Sequence, residues 1–372
     1  MIKVFQVSSD SNIGGAGKCI LTFLEHFDRS MFNMSVVLPV GSLLKAEVER
    51  LGVRVIEVDG IAEKSLSLDG IKVLKKLFKS EKPDIVHTHA SMSARIAAKL
   101  TGVKGIVYTR HSVFDPSPRI SKGLGKLVNG FVNNFFTDKI IAVAEAAKKN
   151  LTDCGVNGNK VSVILNGIKP VEPMTDSEKM NVRQTYGIGD DETVISLLAR
   201  IEEVKGHDIL IDAAAKVLEK GYSIKVLIAG TGSREQVLKQ KVKDLGLEDK
   251  IIFTGFVNDV RGIINITDIS ANASFGTEAT SIALLEGMCL GKPAVVSDFG
   301  GNPGVIENGI NGYLFPSKNA DAMAECLCRI LDDNSLYSKL SDGALKVFND
   351  RFTVDIYTDS IQKVYTDLLA KE

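Results

Sequence analysis

Short apolar, β-branched runs alternate with helical patterns along the whole of this 372-residue chain, and that alternation points to parallel βαβ units. In the first half the runs are IKVFQVSS, NMSVVLP, VRVIEVD, DIVHTH, GIVYTR, KIIAVAE and VSVILNG; in the second they are TVISLLAR, SIKVLIAG, KIIFTGF, ISANAS and KPAVVSD. Helical stretches between them include LLKAEVERLG, GHDILIDAAAKVLEKG and REQVLKQKVKDLG, each closed by glycine as helix ends often are. The length exceeds one ordinary core. The expectation is therefore an α/β protein of two tandem Rossmann-like, doubly wound domains facing across a cleft, over residues 1–168 and 191–352. Residues 169–190, with two prolines and no strand pattern, read as a linker holding one short helix. The stretch 353–372 reads as an amphipathic helix with no strand after it. In such sheets ligands bind beyond the carboxyl ends of the strands, so functional residues are sought just after the apolar runs.

Hydrophobic residues make up 44% and charged residues 24%, the balance of a globular protein in water. MIKVFQV enters a strand at once, leaving no room for a signal peptide, and no apolar run approaches eighteen residues, so a cytoplasmic protein without a membrane span is expected. Five cysteines without a CxxC pair argue against a disulfide framework, and Cys326 and Cys328 in AMAECLCRIL read as packing residues. The net charge is only −1, yet residues 1–170 carry 24 basic against 15 acidic side chains (+9) and the remainder carries −10. A nucleic-acid platform would interleave aromatics with its cations; with 6% aromatics and no Trp, no nucleic-acid partner is expected. Two basic segments instead suit an anionic membrane surface. Lys72, Lys75, Lys76 and Lys79 recur at helical spacing beside Ile71, Leu74 and Phe78, and RISKGLGKLVNGFVNNFF joins Arg119, Lys122 and Lys126 to Phe131, Phe135 and Phe136. The plainer reading of both is a surface helix that packs its apolar side on the sheet and solvates its lysines.

IGGAGKCI follows the first apolar run and opens a helix. It is not a P-loop: Asn12 stands where the first glycine belongs and Cys19 where the magnesium-binding hydroxyl belongs. Two readings remain for Gly14, Gly15 and Ala16, an anion site at a helix N-terminus or a tight packing turn. Further on, Arg200 ends the run VISLLAR and Lys205 follows five residues later, just before a helix; two such cations make an anion site or two solvated surface charges. In SFGTEATSIALLEGM, Thr280 is the expected helix cap, which would expose the N–H groups of Ser281 and Ile282. Glu286 then sits among Leu284, Leu285 and Met288, where a carboxylate wants a hydrogen-bonding partner such as paired ribose hydroxyls. Glu278, near the same helix start, suits sugar hydroxyls; a first-turn charge and a solvated carboxylate are the plain alternatives.

Glu278 and Glu286 with seven residues between, the flanking ARIEEVKG, GKPAVVSDFGG and NGINGYLFP, and the earlier GGAGK, PDIVHTH, YTRHS and ILNGI together resemble retaining nucleotide-sugar glycosyltransferases of the family-4 type. The resemblance covers nearly the whole chain and implies the GT-B fold, with the C-terminal helix completing the first domain. It implies a nucleotide-diphosphate sugar donor, expected to be a UDP-sugar, and a glycan, lipid-linked or small-molecule acceptor. Glu286 would hold the donor ribose; Arg200, Lys205 and the Ser281 and Ile282 amides the diphosphate; Glu278 the transferred sugar; and Gly14, Gly15 and Ala16 a donor phosphate. His111, after GIVYTR, resembles the active-site histidine near the sugar, its plain alternative being a strand-end histidine bonded to backbone. His87 and His89 read as structural. Gly304 stands where similar proteins usually carry Glu. No Asp-x-Asp occurs, so neither a cofactor nor a metal is expected for donor binding. A nucleotide-sugar-binding protein without turnover, or an epimerase or phosphorylase of related fold, are the alternatives.

Overall fold

The computed structural model describes residues 1–113 and 116–370. It divides into two compact units, residues 1–167 joined by the stretch from Val354 onward, and Ile168–Thr353. The strands of the first unit are β1 (Ile2–Ser8), β2 (Phe32–Pro39), β3 (Arg54–Val58), β4 (Ile85–His89), β5 (Gly105–Arg110), β6 (Lys139–Ala142) and β7 (Val161–Val163). They form one parallel sheet in the order β3-β2-β1-β4-β5-β6-β7. Its helices are α1 (Gly15–His26), α2 (Leu44–Arg50), α3 (Leu68–Glu81), α4 (Met92–Thr101), α5 (Pro118–Ser121), α6 (Gly123–Phe135) and α7 (Glu145–Asp153).

In the second unit α8 (Asp176–Thr185) precedes β8 (Thr193–Leu198), β9 (Ile224–Ala229), β10 (Ile251–Gly255), β11 (Ile269–Asn272), β12 (Ala294–Ser297) and β13 (Gly312–Phe315). These strands repeat the plan, again all parallel, in the order β10-β9-β8-β11-β12-β13. The helices among them are α9 (His207–Glu219), α10 (Glu235–Asp244), α11 (Arg261–Ile266), α12 (Ile282–Met288), α13 (Asn302–Val305), α14 (Ala320–Leu331) and α15 (Asn334–Arg351). Both units are Rossmann-like. In each, the strand order reverses beside the first strand, between β1 and β4 and between β8 and β11, which is where such sheets open a crevice for ligands.

The last helix, α16 (Val354–Leu369), belongs to the first unit. It packs there on α1 and β2: the Tyr357 hydroxyl donates to the Cys19 carbonyl at 3.2 Å, and the Tyr365 ring meets Phe23 of α1 and Phe32 of β2 edge-on at 6.1 and 5.8 Å. Glycine closes α2, α9 and α10 through left-handed backbone at Gly52, Gly221 and Gly246 (φ +69°, +90°, +66°), where a Cβ would be strained.

Three sequence expectations need correction. Residues 169–190 do not stand apart as a linker, because Ile188 is buried and Val182 and Tyr186 pack with it against Val194, Leu227 and Ile263 of the second unit. A sixth strand of that unit, β13, was not among the apolar runs. Finally, Leu74 and Phe78 of α3, expected beside an interfacial lysine stripe, are buried in the first unit's core with Phe5, Val86 and Ala97.

Candidate functional site

The second unit builds its site from the carboxyl ends of β8, β11 and β12. After β8 the chain exposes Arg200 and then turns through Glu203–Lys205 into α9. Gly206 makes that turn possible: its φ is +68°, and a Cβ on it would lie 2.1 Å from the Ala273 carbonyl oxygen. So close an approach brings Lys205 onto the loop after β11. Its Nζ donates to the Thr277 carbonyl and to Glu278 Oε2, both at 3.0 Å.

Glu278 is only 8% exposed, and a buried carboxylate is costly unless compensated. Oε2 accepts three hydrogen bonds, from Lys205 Nζ at 3.0 Å, Asn272 Nδ2 at 3.1 Å and Ser274 Oγ at 2.9 Å. Oε1 carries none of them. Lys205 likewise uses two of its three N–H donors on protein. Among the described residues the pair is therefore held in place with one acceptor oxygen and one donor proton left over.

A second layer fixes the loop. Asn302, fully buried at the start of α13, donates to the Ser297 carbonyl and hydroxyl at 3.1 and 3.2 Å and to Asn272 Oδ1 at 3.4 Å. Ser297 Oγ in turn donates to the Ser274 carbonyl at 2.6 Å. Gly300 and Gly301 let this layer close: Cβ atoms there would lie 2.3 Å and 1.4 Å from the carbonyl oxygens of Glu278 and Ala279. Asn272, Ser274, Ser297 and Asn302 were missed in the sequence, whose only signal was small polar residues at the ends of two apolar runs.

Beyond this loop α12 begins at Ile282, and its cap is Ser281 rather than Thr280, without a side-chain hydrogen bond to the first turn. The first-turn amides of α12 lack intrahelical partners by construction. Glu286 lies one turn further on, half-buried between the buried Leu285 and Gly287, so it is less enclosed than the sequence suggested. A Cβ on Gly304 would meet nothing within 4 Å, so the space beside it is open. His207, which opens α9, is buried with neither ring nitrogen hydrogen-bonded among the described residues, and burial pushes its pKa down to about 4.

The first unit places Gly14 and Gly15 at the start of α1, with Ala16 in its first turn. Cβ atoms on Gly14 and Gly15 would meet nothing within 4 Å, whereas one on Gly17 would lie 3.0 Å from Leu44 Cδ1. Packing thus explains Gly17 and leaves the other two facing open space.

His111 follows β5 and ends a buried chain of side chains. His89 Nε2 donates to Gln6 Oε1 at 2.5 Å, which leaves Nδ1 to accept from His111 Nε2 at 2.8 Å. Gln6 Nε2 donates to the Tyr365 hydroxyl at 3.0 Å, that hydroxyl donates to His87 Nδ1 at 2.6 Å, and His87 Nε2 donates to Thr109 Oγ1 at 2.6 Å. Each group in the chain has one defined role, so His111 keeps its proton on Nε2 and presents Nδ1 as an acceptor. Desolvation lowers His111 to about 4, lowers His87 to about 3 and holds His89 well below its ordinary value, the neighbouring imidazoles adding to the last two. All three rings are neutral at pH 7. Both nitrogens of His87 and of His89 are engaged by side chains.

Two family models match the chain: Glycosyltransferase Family 4 over residues 13–172 and Glycosyl transferases group 1 over residues 178–347. An uncharacterized glycosyltransferase of Methanocaldococcus jannaschii is 29% identical over 77% of this chain and 75% of that one. The Escherichia coli UDP-Gal:alpha-D-GlcNAc-diphosphoundecaprenol alpha-1,3-galactosyltransferase is 28% identical over 80% of this chain and 79% of its own. Among solved structures, Anabaena HepE in complex with UDP superposes with a TM-score of 0.86 at 22% identity, covering 99% of this chain and 100% of that one. With both halves matched in order and the two sheets in place, the chain belongs to the family-4 type of GT-B glycosyltransferases.

Proposed function

We propose that this glycosyltransferase moves a sugar from a UDP-sugar to a hydroxyl acceptor on a glycan or lipid-linked glycan, with retention of anomeric configuration. The observation that carries the reading is the Glu278–Lys205 pair, oriented by Asn272 and Ser274 and left with one free oxygen and one free proton. In this account Glu278 Oε1 accepts from a hydroxyl of the transferred sugar, and the third N–H of Lys205 meets the diphosphate. Arg200 and the amides of Ser281 and Ile282 share the diphosphate charge, Glu286 binds the ribose, and the Gly14–Gly15–Ala16 turn offers backbone N–H groups to a phosphate. His111 Nδ1 accepts from a sugar hydroxyl. Binding of UDP by HepE and the UDP-Gal donor in the name of the E. coli relative support the choice of donor.

As the bond from the anomeric carbon to the phosphate oxygen breaks, positive charge grows on the carbon and negative charge on the leaving oxygen. Cations and N–H groups already in place stabilise that oxygen without reorganising. The acceptor hydroxyl attacks from the face that UDP leaves, and its proton passes to the departing phosphate oxygen. No metal takes part in holding the donor in this account, because Arg200 and Lys205 supply the positive charge. The experiment is a panel of UDP-sugars with lipid-linked and free-glycan acceptors, followed by NMR of the product's anomeric proton. An inverted product rules out retention, and donor binding without transfer or hydrolysis on any acceptor rules out turnover.

A further inference from the structure

The helix α6 is amphipathic the wrong way round for a surface helix. Its buried positions are Gly130 and Asn133. A Cβ on Gly130 would lie 2.2 Å from the Gly155 carbonyl oxygen, and Asn133 Oδ1 accepts from the buried Arg95 guanidinium at 2.9 Å. The inward side is therefore small and polar. Facing out are Leu124, Leu127 and Phe131, which are 76, 68 and 67% exposed, together with Val128 and Phe135. Their spacing puts them on one side of the helix, and the Phe131 and Phe135 rings stack at 5.7 Å. A large apolar stripe left in water marks a surface that something else covers.

Charge identifies the occupant. Residues 116–137 contain Arg119, Lys122 and Lys126 and no Asp or Glu. A second copy docking by the same face would bring these cations against each other, whereas an anionic lipid surface pairs with all of them. The other basic helix, α3, is different in kind, because its Leu74 and Phe78 are taken up by the core. We infer that the outer face of α6 docks on an anionic lipid bilayer, with the helix in the plane of the interface, Leu124, Leu127 and Phe131 among the acyl chains and Lys122 and Lys126 at the headgroups. This surface stands independently of the transferase reading, since it needs no donor or acceptor.

The test is co-sedimentation of the full chain with phosphatidylglycerol-containing vesicles and with pure phosphatidylcholine vesicles, at low and high salt. Because the chain has no Trp, Phe131→Trp supplies a reporter whose emission should shift to the blue on anionic vesicles. Joint Leu124→Ser, Leu127→Ser and Phe131→Ser should lower partitioning about tenfold or more without moving the thermal midpoint, because these side chains are exposed. Arg119→Gln, Lys122→Gln and Lys126→Gln together should cost on the order of a hundredfold at low salt, about fivefold per cation. Gln at Lys72, Lys75, Lys76 and Lys79 should cost less than the three α6-segment changes. The inference is overturned if the wild type ignores anionic vesicles at low salt, if the serine variant binds them as well as the wild type, or if the α3 changes abolish binding while the α6 changes do not. A dimer in sedimentation velocity that the serine variant dissociates would give the face to a second copy and also overturn it.

Discussion

The two units place buried polar clusters at the carboxyl edges of equivalent sheets, yet hold them by opposite means. In the second unit the cluster is charged: one carboxylate oxygen is shared by a lysine, an asparagine and a serine. In the first it is neutral: three imidazoles, an amide and two hydroxyls pass hydrogen bonds in one direction, from His111 after β5 through His89, Gln6 and Tyr365 on α16 to His87 and Thr109. A charged pair suits a ligand with a diphosphate, where a spare proton and a spare oxygen are both used. A neutral relay fixes one tautomer without burying a charge. The second unit's cluster should therefore be sensitive to charge removal and the first unit's to protonation.

The largest effect should come from breaking the charged pair on one side. Lys205→Met leaves Glu278 buried without its cation, at a cost of about 3 kcal/mol in denaturant unfolding of the second unit. Adding Glu278→Gln should recover most of that loss. Additive losses in the double variant would mean that the two residues are not coupled. Next in size is Arg200→Ala, which should weaken UDP-sugar binding by about 2 kcal/mol in calorimetry while leaving stability unchanged, since Arg200 is exposed.

In the first unit, Tyr365→Phe removes the hydroxyl that both Gln6 and His87 use, and about 1–2 kcal/mol of stability should go with it. Protonation is the gentler probe. The histidines titrate below their ordinary 6.5 when folded, so the unfolded chain binds more protons between pH 6.5 and about 3. Stability present above pH 6.5 is lost as pH falls through that window. Hydrogen-exchange protection factors, corrected for the intrinsic rate at each pH, should fall on acidification more in β1, β4 and β5 than in β8 and β11, where His207 is the one histidine nearby. An equal loss of protection in both sheets would erase the contrast between the clusters. The smallest expected effect is none: excess chelator should leave donor affinity where it was, and its abolition by chelator would bring a metal into the charged site.

Much of the fold was legible because parallel strands buried on both faces write themselves as unbroken β-branched runs, as in VISLL and IKVLIA. GYLF escaped notice because it is four residues long, opens on glycine and has no β-branched side chain. Ser281 and Thr280 are adjacent hydroxyl residues, so composition could not decide which one caps α12. At the site, Glu278, Arg200 and Lys205 stood out as charges following strands. The bond between Lys205 and Glu278 did not, because it joins residues 73 positions apart through a turn that only the Gly206 backbone allows. The relay was less legible still: Gln6 and Tyr365 are 359 positions apart, and an isolated glutamine in a strand gives no sign of a partner.

In the proposed function Glu278 serves the sugar and Glu286 the nucleotide. Titration calorimetry of UDP and of the intact UDP-sugar into wild type, Glu278→Gln and Glu286→Ala tests it most directly. Glu286→Ala should weaken both ligands alike, because both carry the ribose. Glu278→Gln should leave UDP binding unchanged and weaken the UDP-sugar. If both variants lose UDP and UDP-sugar affinity equally, or if Glu278→Gln weakens UDP itself, the division of roles between the two carboxylates is wrong.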